Sequence, residues 1–287
     1  MKTHYKLINT TREQGNMNFI SNIVNSFLLR GLIIILFSLP VGTVSAETVL
    51  ITGSNSGLGL EFAKQYAAKG WTVYATHRRD KTPDTLAALR NKYEKVIPAR
   101  MDVSRHDEID ALAAKLKGKP IDVLINNAGI AIIGEFTGIG NNVDQALGTL
   151  NYEHFDIITD VNVKGPIKVS EAFATHVKAS RQKKIIAISS AAGMVSTPQR
   201  GGMYWYGMSK AALNKLMANL AADLKKDGVS VALFHPGGVR VEKFADLDYP
   251  GMIETVDSIA GMIKVIDNLT VENTGKFWTH TGEAMPW

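Results

Sequence analysis

From residue 47 onward, short and mainly apolar runs alternate with longer stretches in which apolar residues return every three or four positions. The short runs fall at 47–51, 71–76, 96–100, 121–125, 185–188, 229–234 and 276–278. Runs of this length without polar alternation mark strands buried on both faces, as in a parallel sheet. Between them lie amphipathic helices. Leu60, Ala63, Tyr66 and Ala67 share one side of the first, with Gly70 as its C-terminal stop. Thr82-Pro83 opens the second with a capping residue and a first-turn proline, and Ser104 caps the third. A long helical stretch over 152–179 is interrupted by Gly165-Pro166. Another, over 204–226, presents Leu213, Leu216, Met217 and Leu220 as core or as a helix–helix interface, and a last one covers 255–268. Strands alternating with helices predict an α/β chain with a doubly wound parallel sheet, one domain over 47–287.

Residues 1–46 follow a different pattern. Arg30 precedes the apolar run 31–39, Pro40 and Gly42 follow, and Val44-Ser45-Ala46 ends it. A basic residue, a short apolar core and a small-residue end form the pattern of a secretory signal, with Met17 as a plausible start. The alternatives are an uncleaved membrane anchor and an upstream extension of a cytoplasmic enzyme. The uncharged stretch 31–46 is short for a spanning helix, which needs about 20 residues. The leader therefore predicts export or membrane association, with the cytoplasm as the alternative.

Composition narrows the chemistry. The chain has 287 residues, 45% hydrophobic and 21% charged, within the globular range. With no cysteine, it has no disulfides, thiolate metal sites or thiol nucleophiles. Of the formal charge of +5, the leader holds +3, and the remaining +2 is too balanced for a nucleic-acid surface. No metal site is predicted.

The candidate chemistry sits where strands end. The first strand leads into Thr52-Gly53-Ser54-Asn55-Ser56-Gly57-Leu58-Gly59 and then a helix. Strand, glycine-rich turn and helix are the context of a dinucleotide-binding turn, since glycines admit the pyrophosphate to the helix amides. The second strand ends in His77-Arg78-Arg79, without the acidic residue that NAD ribose calls for. Arg78 and Arg79 pair with a 2′-phosphate or form a solvated basic loop, and the first reading favours NADP(H) over NAD(H). Asp102 either accepts a hydrogen bond from adenine or serves a turn. Asn126-Asn127-Ala128-Gly129 follows the fourth strand, where its amides satisfy strand ends and stiffen the crevice. Pro166 has no N–H, so an α-helix here lacks the usual donor to the Asn162 carbonyl, which suits an ordered water. Beyond Ser189-Ser190, Tyr206 and Lys210 stand four apart on one helix face. A nearby ammonium is expected to pull the tyrosine pKa toward neutrality. His235, at the end of the sixth strand, is not needed for acid–base work.

Thr52-Gly53-x-x-x-Gly57-x-Gly59, Asn126-Asn127-Ala128-Gly129, Asn162, Ser190, Tyr206-x-x-x-Lys210 and Pro236-Gly237, in this order, resemble the short-chain dehydrogenase/reductase family over residues 47–287. The stretch 161–166 and the ending 275–287 resemble its C-factor and sniffer-like carbonyl reductase branch. The resemblance implies a Rossmann fold and a tetrad. Tyr206 would be the general acid or base, and Lys210 would lower its pKa and hold the nicotinamide ribose. Ser190 would polarise the substrate carbonyl, and Asn162 would hold a relay water. Gly53, Ser56, Gly57, Leu58 and Gly59 would line the pyrophosphate turn, and Asp102 and Val103 would flank adenine. Asn126 and Ala128, together with Pro236-Gly237, would complete the cofactor site. It also implies a small carbonyl or alcohol substrate and a homo-oligomer, dimer or tetramer. The family often carries a threonine after Pro-Gly; here the stretch is Gly238-Val239-Arg240-Val241-Glu242. A nucleotide-sensing protein with little turnover, or a lyase or epimerase on the same fold, remain alternatives.

Overall fold

The computed structural model describes residues 46–131, 147–196, 201–242 and 251–287. Their strands are β1 (Thr48–Ile51), β2 (Thr72–His77), β3 (Val96–Arg100), β4 (Val123–Asn126), β5 (Lys184–Ile188), β6 (Ser230–His235), β7 (Val239–Arg240), β8 (Ile253–Glu254) and β9 (Lys276–Thr279). The α-helices are α1 (Gly57–Ala68), α2 (Asp84–Lys92), α3 (His106–Lys115), α4 (Glu153–Thr159), α5 (Gly165–Lys178), α6 (Tyr204–Leu224) and α7 (Thr255–Asp267). All seven apolar runs are strands of one parallel sheet, ordered β3-β2-β1-β4-β5-β6-β9. The chain leaves β1 toward one edge and β4 toward the other. That reversal opens a crevice at the C-terminal ends of β1 and β4, where α/β sheets place their ligands.

Strand pleating splits the core. Val49 and Ile51 face one side with Phe62, Tyr66, Leu86, Met262 and Ile266, from α1, α2 and α7. Leu50 faces the other, with Ile109, Phe173, Val177, Leu213 and Met217 from α3, α5 and α6. Both faces are covered, which is why the strands read as apolar runs.

Some local expectations fail. Pro83, in extended backbone, is the N-terminal boundary residue of α2, and no side chain caps that end. Ser104 does not cap α3. Its N–H and hydroxyl both donate to Asp102 Oδ1, at 3.0 and 2.8 Å, while Arg105 occupies the boundary. At Ser104 the local turn takes the hydroxyl expected to cap the helix. The interrupted helix is resolved as α4, a π-helical turn (Asp160–Lys164), and α5. Gly165 N–H reaches back to Asp160 O, five residues away, just before Pro166. The backbone thus meets Pro166 with one wider π-helical turn.

Residues 132–146, 197–200 and 243–250 lie outside the described residues, as do residues 1–45. Among the described residues, no helix is long and apolar enough to cross a membrane.

Candidate active site

The glycine-rich turn is clasped to the loop after β4. Thr52 Oγ1 accepts from the N–H groups of Asn127 and Ala128, both at 2.9 Å. Asn127 Nδ2 donates back to Thr52 O at 2.9 Å and Gly53 O at 3.1 Å. Gly57 enters α1 at φ +53°, a left-handed backbone that side chains disfavour. A Cβ on Gly59 would overlap Gly53 O, so α1 can start this close to the strand end only with glycine there. Ser56 is the extended residue before α1, with no side-chain cap to the helix. The first turn of α1 has no acidic residue, which leaves its positive dipole end without a charge partner from the helix itself, as an anion site requires.

At the neighbouring strand ends, Arg78 and Arg79 are exposed beyond β2. Asp102, half-buried after β3, spends Oδ1 on Ser104 and donates its own N–H to Glu108 Oε2 at 2.9 Å. The turn role left open for Asp102 is therefore real; its second carboxylate oxygen is not used by that turn. Val103 is buried against Gly165 at the start of α5. Asn126, also buried, donates to Ser170 Oγ at 3.0 Å, and its Oδ1 has no partner among the described residues.

The second half of the site is built on α6. Tyr206 hydrogen-bonds Ser190, and Lys210 Nζ donates to Ile188 O at 2.9 Å from 5.7 Å over the Tyr206 ring centroid. Ser190 Oγ also accepts from Ala192 N–H at 3.2 Å, in the 3₁₀ turn Ala191–Gly193. Ser189 points elsewhere, donating to Asn214 Oδ1 at 2.6 Å, and Tyr204 is exposed; Ser190 and Tyr206 are the pair that meets. A Cβ added at Gly129 would stand 3.3 Å from Asn162 Oδ1 and 3.6 Å from Lys210 Nζ, so three segments converge there.

The electrostatics depart from expectation in one respect. Burial holds the Tyr206 phenol above its usual range, and the hydrogen bond with Ser190 pulls it back down. The Lys210 ammonium is not what lowers it. Burial depresses Lys210 itself to about 8, because its ammonium loses the water that favours the charged form. Asn162 is likewise occupied: Oδ1 accepts from Ile130 N–H at 2.8 Å, and Nδ2 donates to Ile130 O at 2.7 Å and Ser209 Oγ at 3.0 Å. Its side chain thus ties Ile130 to Ser209 on α6.

Pro236 and Gly237 follow β6, with Gly237 at φ +88° and Ser258 Oγ donating to Pro236 O at 2.6 Å. His235 Nδ1 accepts from Ala191 N–H at 3.3 Å and is pushed down by burial and by His280, so it braces the serine turn as a neutral ring.

Two residues were missed from the sequence. Asn214, buried one turn beyond Lys210, accepts from Ser189 and donates to Gly193 O at 3.4 Å, gripping both flanks of Ser190. Its position, i+4 from Lys210, was the available signal. Glu242 reaches Gly57 N–H with Oε2 at 3.1 Å, across 185 residues of sequence, and nothing local foretold it.

The residues present fit a dinucleotide: a helix N-terminus already holding a carboxylate at Gly57 N–H, a rigid turn and a crevice at the strand switch. Comparisons with known proteins agree. The family model for short chain dehydrogenase matches residues 47–249. The chain is 31% identical over 246 residues to 1-hydroxy-2-glutathionyl-2-methyl-3-butene dehydrogenase of Rhodococcus sp. (strain AD45), covering 84% of this chain and 100% of that one. It is 32% identical over 178 residues to C-signal of Myxococcus xanthus, covering 62% and 99%. Among solved structures it resembles NADPH-bound carbonyl reductase from chicken fatty liver, with 29% identity, TM-score 0.75, and 85% and 100% of the chains covered. The Drosophila carbonyl reductase Sniffer shares the fold, at 24% identity and TM-score 0.73 over 84% and 100%. With the fold, the clasped glycine turn and the Ser-Tyr-Lys cluster in one crevice, this chain belongs to the short-chain dehydrogenase/reductase family.

Proposed function

We propose that the protein transfers hydride between NADP(H) and the carbon of a carbonyl or alcohol substrate. The observation that carries this reading is the Ser190–Tyr206–Lys210 cluster, with Lys210 beside Gly129 in the same loop that clasps the glycine turn. Bound NADP(H) would supply or take the hydride. It would be held by residues 53–59, Arg78, Val103, Asn126, Ala128, Lys210 and Gly237, with Asp102 offering its remaining oxygen.

The chain's own residues supply the proton. A raised phenol pKa keeps Tyr206 protonated at neutral pH, ready to donate to a carbonyl oxygen as negative charge develops there. Ser190, already against the phenol, orients that oxygen. Lys210, cationic below about 8, stabilises the phenolate left behind. The relay toward bulk water would use the Asn162 main-chain carbonyl, since its side chain is committed to Ile130 and Ser209.

Tyr206→Phe tests this. Carbonyl-dependent NADPH oxidation should fall by about 10²–10⁴-fold, the usual value of a general acid, with NADPH affinity nearly unchanged. Equal turnover in the variant would refute the role. The NADP preference rests on Arg78 and Arg79 and on the NADPH-bound relative. Arg78→Ala and Arg79→Ala should each weaken NADPH more than NADH, and equal effects would remove the argument.

The resemblance to C-signal favours a second reading, a signalling protein that binds the nucleotide and turns over little. Tight NADPH binding with no turnover across a carbonyl panel would select it.

A further inference from the structure

Glu242 lies where an anion belongs. Its carboxylate accepts from Gly57 N–H at 3.1 Å, at the first position of the 12-residue helix α1. That helix brings no acid of its own in its first turn, so a residue 185 positions away supplies one. The placement is constructed. β7 pairs with β8 through Val239–Ile253 and Arg240–Glu254, and Ile253 N–H donates to Gly238 O at 2.9 Å. Thr255 Oγ1 donates to Arg240 O at 2.6 Å, and Arg240 Nε meets Glu254 Oε1 at 3.2 Å. The ribbon so fixed ends two residues before Glu242. Val241 adds a steric element: its Cγ1 would be 3.5 Å from a Cβ at Gly57.

A carboxylate and a phosphate oxygen compete for the same donor, because helix N-terminal amides and their dipole favour either anion. Held together there, the two would repel at hydrogen-bonding range, where screening by solvent is incomplete. We propose that Glu242 is an internal competitor for the dinucleotide: its carboxylate holds the Gly57 amide and must leave when a phosphate group of the cofactor takes that end of α1. The proposal rests on the dinucleotide reading above. It makes Glu242 a determinant of cofactor affinity and release, acting on the binding step and not on proton transfer. It also gives a role to the stretch after Pro236-Gly237, where this chain departs from the family's threonine.

The test is titration of wild type, Glu242→Gln and Glu242→Ala with three probes: NADPH, ADP and adenosine. Both variants should bind NADPH and ADP about tenfold more tightly, a gain of about 1.4 kcal/mol, with adenosine unchanged because it carries no phosphate. The gain from Glu242→Gln should shrink as salt rises, as expected for an exposed charge. Unchanged or weakened NADPH binding in both variants would overturn the competition while leaving the dinucleotide reading intact. An equal gain for adenosine would also overturn it, by revealing a general loosening of the segment. Failure of wild type and both variants to bind NADPH would instead remove the dinucleotide reading, and this proposal with it.

Discussion

Lys210 is buried on α6. Lys210 falls from an ordinary 10.5 to about 8, so it is charged below that value and neutral above it. kcat/KM for NADPH, which reports the free enzyme, should therefore hold through neutral pH and fall as pH rises through about 8. The stability sign is opposite. Between about 8 and 10.5 the unfolded chain binds the proton that the folded chain has lost, so this group makes stability increase with pH there. A pH profile with no limb near 8 would show that Lys210 does not carry the charge. Asn214 offers a second check. Asn214→Ala should release Ser189 and Gly193, lowering kcat by about 10–10² through a misplaced Ser190 while leaving NADPH affinity in place. Asn214→Asp keeps the acceptor for Ser189 and should recover part of the loss. Tyr206 and Lys210 were legible because four-residue spacing is a periodic signal. Asn214 shares that spacing, but a helix asparagine has no reading until its two partners are known. The pKa order of Tyr206 and Lys210 was not legible either, since desolvation depends on packing from distant segments.

Elements were read well where burial writes a pattern and poorly where a single hydrogen bond decides. The seven sheet strands followed from apolar runs, with ends displaced by a residue or two. Thr82 and Ser104 were misassigned because capping depends on where one N–H points. The β7–β8 ribbon escaped notice, since two residues per strand leave no period. The 3₁₀ turn at 191–193 was unseen as well, yet it sets the approach of Ser190 to α6. A Cβ on Gly193 would lie 2.7 Å from Lys210 C and 2.9 Å from Lys210 Cβ, both firmly placed atoms. Gly193→Ala should therefore displace the turn from α6, costing about 1–3 kcal/mol in urea unfolding and most of kcat. At the opposite end of the sheet, buried Asp122 accepts from Thr48 N–H at 2.9 Å, Arg181 N–H at 3.2 Å and Gln182 N–H at 3.3 Å. Asp122→Ala leaves those donors without their carboxylate and should lower stability by about 1–3 kcal/mol in the same assay, with kcat at saturating substrate unchanged.

The whole chain divides at its leader: Ala46–Trp287 is a compact unit in itself. A protein beginning at Ala46 is expected to unfold in one transition and to bind NADPH as the full chain does; loss of binding would tie the leader to the fold. The fate of the leader belongs to the cell, and N-terminal sequencing of the native protein distinguishes a cleaved Ala46–Glu47 bond from a retained segment. Fold class was legible at this scale because strand and helix alternate without a break. The substrate was not, because the stretches between strands and helices carry no period to read. What the fold prepares is best seen in the clasp of Thr52 and Gly53 with Asn127 and Ala128. Four hydrogen bonds hold the crevice floor before any ligand arrives, so little chain entropy remains to be lost there on binding. On the proposal made above, association of a nucleotide with such a floor would depend on encounter and on the departure of Glu242. The amide protons of Asn127 and Ala128 should accordingly exchange with solvent among the slowest in the molecule, with or without a nucleotide present.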